Sequence, residues 1–390
     1  MHLATLTKRL RMTSIRWHKN AAWFGAFTLL LWGISGISHP LMSWLGPKAE
    51  KFYPPSFTLD AKATENVSRL VSEQIRSGNL DQARVVKLVA SLQGPQLQIT
   101  EAADRPRRYV PLKESTGTNY SDEQQARWLA SYYTGRNSAE IESVEFQTRF
   151  SADYPWVNRL LPIYKVRFSG ADQLTAYLHT ETNALASLNN RTKQSLQSLF
   201  QALHTWNWLG NSELSRVLII TLLLASLFSM ALTGLVMVLT FRSRKILSPT
   251  RRWHRWLAYA IWLPLLGWSA SGFYHLLQSS YITTPSEKLT LPESYLADSL
   301  NRETQQNLPP INPALLAGQQ LNSLALVNSS FGLQYRLSVS PAHQGGEVSR
   351  EARFKGKPLE RRALYIDLAS GEASDLQDQQ LAGEMALSFS

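Results

Sequence analysis

At 390 residues the chain has room for more than one domain, and the absence of cysteine excludes disulfides, iron–sulfur clusters held by cysteine, thioether-linked cofactors and thiolate zinc sites. The net charge of +11 is equalled by two basic stretches that contain no acid: Lys8, Arg9, Arg11, Arg16 and Lys19 near the N-terminus, and Arg242, Arg244, Lys245, Arg251, Arg252 and Arg255 between two apolar runs. Basic residues hugging apolar runs are the signature of membrane flanks; no nucleic-acid recognition motif accompanies them, so nucleic acid is set aside as a partner.

In chain order, residues 1–19 read as a basic cytoplasmic tail and 20–44 as a first transmembrane helix. A cleaved signal peptide fits less well, because the run is long, rich in tryptophan and lacks a small-residue cleavage site. Residues 45–195 are polar and mixed, an α+β region outside the cytoplasm. In it Val67, Leu70, Val71 and Ile75 share one helix face. Val85–Val89 and Leu97–Thr100 flank the turn residues Gly94-Pro95 as strands, and Ile163–Phe168 with Gln173–His179 form a second pair. Residues 196–211 make an amphipathic interfacial helix carrying His204. A second span follows at 212–241, a cytoplasmic basic loop at 242–252, and a third span at 253–279, which Pro264 should kink. Residues 280–390 form a second extracytoplasmic region, with strands at Tyr335–Val339 and Ala363–Asp367. The fold class is therefore a membrane protein: a helical bundle with extracytoplasmic α+β domains.

One stretch occurs twice. Arg16-Trp17-His18, Trp32, Ser35-Gly36 and His39 recur 236 positions later as Arg252-Trp253-His254, Trp268, Ser271-Gly272 and His275. In each copy the histidines are 21 positions apart, about 31 Å along a helix, against about 30 Å for a bilayer's hydrocarbon core. Each copy reads as a spanning helix with a histidine near each face, on roughly one side. The repeat continues beyond the spans: Arg107-Arg108-Tyr109, Ser115-Thr116-Gly117 and Gln124-Gln125 recur in order as Arg361-Arg362-Ala363, Ala369-Ser370-Gly371 and Gln379-Gln380. The first copy continues from there into His204 and the second span. The expectation is that the second copy also does so in a longer chain, giving a fourth helix.

Imidazole is a common metal ligand, and two imidazoles on facing helices can hold a haem iron axially. His18 and His254 fall at the cytoplasmic face; His39, His204 and His275 fall at the outer face. Gly33, Ser35, Gly36, Ser269, Ser271 and Gly272 are small enough for a flat macrocycle, or another helix, to come close. Past Glu213 at the edge of the second, the spans hold no acids, which disfavours proton relays. Zinc held by the three outer histidines is a further option, without a nearby carboxylate or an HExxH pattern to support it.

The chain resembles the PepSY-associated transmembrane family, whose members include haem-containing inner-membrane reductases of ferric siderophores. The resemblance rests on the Trp-His opening the first and third spans, on Tyr154-Pro155-Trp156-Val157-Asn158-Arg159-Leu160-Leu161-Pro162-Ile163-Tyr164-Lys165-Val166, and on Leu203-His204-Thr205-Trp206. It implies PepSY-like periplasmic domains, a bacterial inner-membrane location, two b-type haems, and electron transfer across the membrane to a ferric siderophore in the periplasm. His18 and His254 would be the inner ligand pair. His39, His204 and His275 would supply the outer pair, with His39 and His275 as repeat mates the first choice. No dinucleotide or flavin motif is present, so the donor would be a quinol or a cytoplasmic reductase. The competing reading is a membrane-anchored PepSY binding or regulatory module without enzymatic activity; a transporter subunit is a third.

Overall fold

The computed structural model describes residues 2–51, 53–113, 120–240, 248–278, 280, 307–341 and 362–388. It divides into a helical unit, Met1–Gly46 with Thr192–Ser286, and an α+β unit, Pro47–Arg191 with Glu287–Ser390.

In the helical unit, α1 runs without interruption from His2 to Leu45, so the basic tail and the first apolar run are one helix. At 44 residues it is about 66 Å long, twice the thickness of a hydrocarbon core. A short helix, α4 (Arg191–Phe200), leads into one π-helical turn, Gln201–Thr205, and a 3-10 stretch, Asn207–Ser212. Trp206 separates the two in the left-handed conformation, at φ 55°. The turn is tied by tryptophan: Trp206 Nε1 donates to the Leu203 carbonyl and Trp208 Nε1 to that of Ala202. α5 (Glu213–Thr240) follows, then α6 (Pro249–Leu277). α5 packs along both α1 and α6. Pro264 sits inside α6, which continues on both sides of it.

Two of these helices, Lys8–Leu45 and Glu213–Thr240, are long and apolar enough to cross a membrane. The sequence reading expected a third span at 253–279. α6 has the length, at 29 residues, but not the same apolarity. Its run is diluted by Trp256, Tyr259, Trp262, Trp268 and small polar residues.

The α+β unit holds two antiparallel sheets. The first has the order β10-β9-β8-β1-β2-β3, and the second β4-β5-β6-β7. In the first, β1 (Val85–Val89), β2 (Gln96–Thr100) and β3 (Arg108–Pro111) form one meander; β8 (Gln319–Ser329), β9 (Gly332–Pro341) and β10 (Arg362–Asp367) form the other. The region expected to be a second extracytoplasmic one is therefore not a separate domain: β8 pairs with β1. Helix α2 (Ala61–Arg76), capped by Asp60 accepting from the Ala63 N–H, packs Val67, Leu70, Val71 and Ile75 on the core of both meanders. The second sheet, β4 (Ile141–Gln147), β5 (Ile163–Phe168), β6 (Thr175–His179) and β7 (Ala184–Asn189), packs on α3 (Asp122–Thr134) through Ala126, Leu129, Ala130 and Tyr133.

The two meanders are copies. Gly94 and Gly332 both turn with positive φ, at 94° and 85°. Ser91 Oγ donates to the Gly94 carbonyl and accepts from the Gln93 N–H; Ser329 Oγ does the same with Gly332 and Phe331. Tyr109 on β3 donates to Asp122 in the first turn of α3; Tyr365 on β10 donates to Asp378 in the first turn of α7 (Asp378–Ser388). The Ser121 N–H donates to Gln124 and the Gln377 N–H to Gln380. The structural mates of Arg107-Arg108-Tyr109 thus end at Tyr365, two positions beyond the Arg361-Arg362-Ala363 alignment that the sequence suggests. The longer β9–β10 connection obscures that register. Lys87, the mate of Ala325 by the β1/β8 offset, also pairs with Ala325, so a pseudo-twofold axis passes through that pair.

The copies differ in charge. Around Lys87 the first holds a buried network: Lys87 Nζ to Glu181 at 2.5 Å, Arg107 Nε to Glu181 at 3.4 Å, Arg107 Nη1 to Asp122 at 3.7 Å, and Thr100 Oγ1 to Glu181. Burial raises the Glu181 carboxyl pKa, but Lys87 and Arg107 outweigh it and hold it below the usual range. His179, packed against the same network and hydrogen-bonded to Thr182, is pushed down to about 4 by burial and then by Arg107 and Lys87, against the opposing pull of Glu181. A histidine held neutral in the fold binds its proton more readily when unfolded, so stability is lost as pH falls from about 6.5 towards 4. The expected loss in the α+β unit is about 3 kcal/mol. Melting followed by circular dichroism between pH 7 and 4 reads it directly, and His179→Gln should flatten that part of the slope.

Candidate functional site

The five histidines named from the sequence all lie in the helical unit. Their setting is fixed by α1. Ser14, His18, Ala21, Gly25, Thr28, Trp32, Ser35 and His39 alternate four and three positions apart, the spacing that keeps one seam facing a partner helix. Ser14, Gly25, Thr28 and Ser35 on this seam are buried. α5 answers with Val217, Ile220, Leu224, Leu227 and Ala231, also buried and also in fours and threes. A Cβ at Gly25 would lie 2.9 Å from Met230 Sδ, so the glycine leaves room for that side chain between α1 and α5.

At one end of the α1–α5 pair, His18 and His254 meet. Their ring centroids are 6.2 Å apart with planes at 70°. A metal between two imidazole nitrogens sits about 2.0–2.1 Å from each, which puts ring centroids roughly 6.3 Å apart. An edge-to-face ring contact covers the same range. What distinguishes this pair is the cavity beside it, about 570 Å³, lined by both histidines and by Met230, Trp262, Arg251 and Arg255. That volume lies within the range of small-molecule and cofactor sites, and the apolar wall with two guanidinium groups suits a flat apolar group bearing acids. His18 Nδ1 lies 3.2 Å from Thr233 Oγ1 on α5.

At the other end, His204 projects from the π-helical turn. Its Nδ1 lies 3.1 Å from Ser35 Oγ, its ring stacks on Phe200 at 4.5 Å, and Trp32 lies 6.4 Å away. His39 also reaches Phe200, at 5.9 Å. The ring contact of His275 is with its neighbour Tyr274. Thus Phe200 brings His39 and His204 into one aromatic cluster, and among the described residues no ring contact joins His39 to His275. Trp32 Nε1 is buried there without a hydrogen-bond partner.

The repeat mates are not placed alike. The α6 counterparts of the α1 seam, including His254, Leu257, Ile261, Trp268, Ser271 and His275, are exposed, and α6 meets α5 through Leu265, Ser269 and Leu276 instead. The small residues divide accordingly. A Cβ at Gly33 would meet open space, whereas one at Gly272 would lie 2.8 Å from Leu224 Cδ2. Ser269 Oγ is turned onto its own helix, donating to the Leu265 carbonyl. Among the described residues no group of three or more His, Asp or Glu is placed to hold a metal ion, so the outer histidines do not form a zinc cluster. Thr233, Gly234 and Phe200 were missed as site residues from the sequence, and the two arginines were read there only as a membrane flank; the four-three spacing of α1 was the signal that would have led to α5.

No known family profile, curated protein or solved structure matches this chain.

Gly272→Val should overpack the α5–α6 contact and cost about 1–3 kcal/mol, while Gly33→Val should be close to neutral. Thermal unfolding in detergent compares the two.

Proposed function

We propose that the protein is a multi-pass inner-membrane haem protein, of the PepSY-associated transmembrane kind, that passes electrons to a ferric siderophore on the periplasmic side. The observation that carries the reading is the His18–His254 pair, 6.2 Å between ring centroids, beside a cavity of about 570 Å³. In this reading His18 and His254 would hold the inner haem, and Arg251 and Arg255 would provide cationic partners for its carboxylates. The outer haem would take its ligands from His39, His204 and His275, and the contact of both His39 and His204 with Phe200 favours that pair over the repeat mates. The bound haem would supply a one-electron carrier. The chain's own residues would hold it, exclude water with the apolar seam, and separate the two faces. Each ferric chelate takes up one electron and becomes ferrous, and a quinol or a cytoplasmic reductase gives that electron up.

Multi-pass topology draws on the sheet as well as on hydropathy. β1 precedes α5 and β8 follows α6, yet the two strands are paired. They must lie on one side of any membrane, so the chain between them crosses an even number of times. If α5 crosses, α6 is the helix of sufficient length to bring the chain back. The basic residues before α1's apolar run and between α5 and α6 favour an N-terminus in the cytoplasm, with lipid around α1, α5 and α6.

The alternative, a membrane-anchored binding module, draws on a second cavity of about 370 Å³ in the α+β unit, bounded by Phe57, Ser91, Pro95, Trp128 and Tyr132. Purified protein in detergent separates the two. The haem reading expects a b-type Soret band that sharpens and shifts on dithionite. His18→Ala and His254→Ala should each remove the inner component of that band. A colourless, folded protein would leave the binding module.

A further inference from the structure

His18 and His204 sit in the same local device, although one is on α1 and the other on a turn after α4. For His18 the neighbouring helix offers Thr233-Gly234: the hydroxyl is 3.2 Å from Nδ1, and a Cβ at the glycine would lie 3.6 Å from Cε1. For His204 it offers Ser35-Gly36: the hydroxyl is 3.1 Å from Nδ1, and a Cβ at the glycine would lie 3.9 Å from Cε1. In both, a hydroxyl residue meets the δ nitrogen and the ring edge lies over the following glycine, where an added Cβ would make an ordinary van der Waals contact. The two seats lie 17 to 18 residues apart along α1, or roughly 26 Å.

Each hydroxyl also has a carbonyl acceptor on its own helix. Thr233 Oγ1 donates to the Ser229 carbonyl at 2.6 Å, and Ser35 Oγ to the Trp32 carbonyl at 3.4 Å. With its hydrogen on that carbonyl, each oxygen can accept from the imidazole, an arrangement that puts the ring proton on Nδ1. A neutral imidazole protonated at Nδ1 keeps its lone pair on Nε2, the nitrogen that would then bind a metal. None of His39, His254 and His275, all exposed, shows a hydroxyl contact of this kind among the described residues.

We infer that the Ser/Thr-Gly pair is a positioning device for a haem-ligating imidazole, used once for His18 and once for His204, and that it marks His204 as one of the outer ligands. The inference rests on the haem reading of the same histidines. Thr233 and Ser35 are positioning residues: they act through the ring, fixing its tautomer and its rotation.

Two measurements test it. Nitrogen-15 spectra of histidine-labelled protein stripped of haem report tautomers directly, with His18→Asn and His204→Asn to assign the signals. Both rings should be Nδ1-protonated, and Nε2-protonated rings would overturn the inference whether or not haem binds. Redox titration of the haem-loaded protein, followed by its absorption and electron paramagnetic resonance, gives the second reading. Thr233→Val should weaken haem binding at the inner site 10–100-fold and alter its signal alone, and Ser35→Ala should do so at the outer site alone. Thr233→Ser and Ser35→Thr should restore both. A tenfold change in the preference for ferric over ferrous haem reads as about 59 mV for a one-electron couple. Haem bound normally with Thr233→Val and Ser35→Ala unchanged would overturn the positioning roles while leaving the haem reading intact. An outer signal that survives His204→Ala would overturn the ligand assignment. Unaltered protein that takes up no haem would overturn both the reading and the inference.

Discussion

The helical unit depends on how closely α5 can approach α1. The seam on α1 is built from serine, alanine, glycine and threonine, with His18, Trp32 and His39 as its large members. Small residues give up side-chain packing but let two backbones come together, and in an apolar solvent that contact and its hydrogen bonds replace the hydrophobic driving force. Where the seam is small the helices touch; where it is large a ring is inserted. His18 is inserted where α5 has thinned to Ala231, Thr233 and Gly234, so the space that receives the imidazole is on α5 and the imidazole is on α1. The ring then reaches His254 beyond α5, although α1 and α6 have few contacts of their own.

Much of this was legible in the sequence because it is periodic. The 21-residue spacing of the histidines is three heptads, and a heptad seam stays on one face where a straight helix would drift. β1, β2, β5, β6, β9 and β10 were readable from β-branched and aromatic runs between turn residues, and α2 from its apolar stripe. Pairings between distant segments were not legible. Nothing local in Lys87 announces Ala325 as its neighbour, nor does Glu181, on a 3-10 turn after β6, announce Arg107. The Tyr109–Asp122 bond, with its repetition at Tyr365–Asp378, aligns the two meanders better than identity does, because a hydrogen-bond pattern persists where the residues around it have changed.

Duplication explains the similarity of the halves, and the differences show what each half carries. Ser35-Gly36 receives His204, whereas its mate Ser271-Gly272 has Leu224 against the glycine, although both serines donate to the carbonyl three residues back. In the sheet, Lys87 has a buried carboxylate to meet and Ala325 does not. In the second meander Arg336 takes the place of Gln98 beside the tyrosine and pairs instead with Asp378, at 2.9 Å, near the surface. Charge is buried in one copy and left at the surface in the other, so the same backbone arrangement tolerates two electrostatic solutions.

The pairing of β1 with β8 also sets an order of assembly. β1 and its partner are separated by about 230 residues of chain, including α5 and α6. At ribosomal speeds of 5–20 residues per second, β1 waits roughly 10–50 s for its second neighbour. During that interval its outer backbone groups form an open, aliphatic edge, the kind that recruits other strands. The nascent chain must shelter that edge while two long helices find their place, which makes biogenesis the stage at which this protein is most exposed to misassembly.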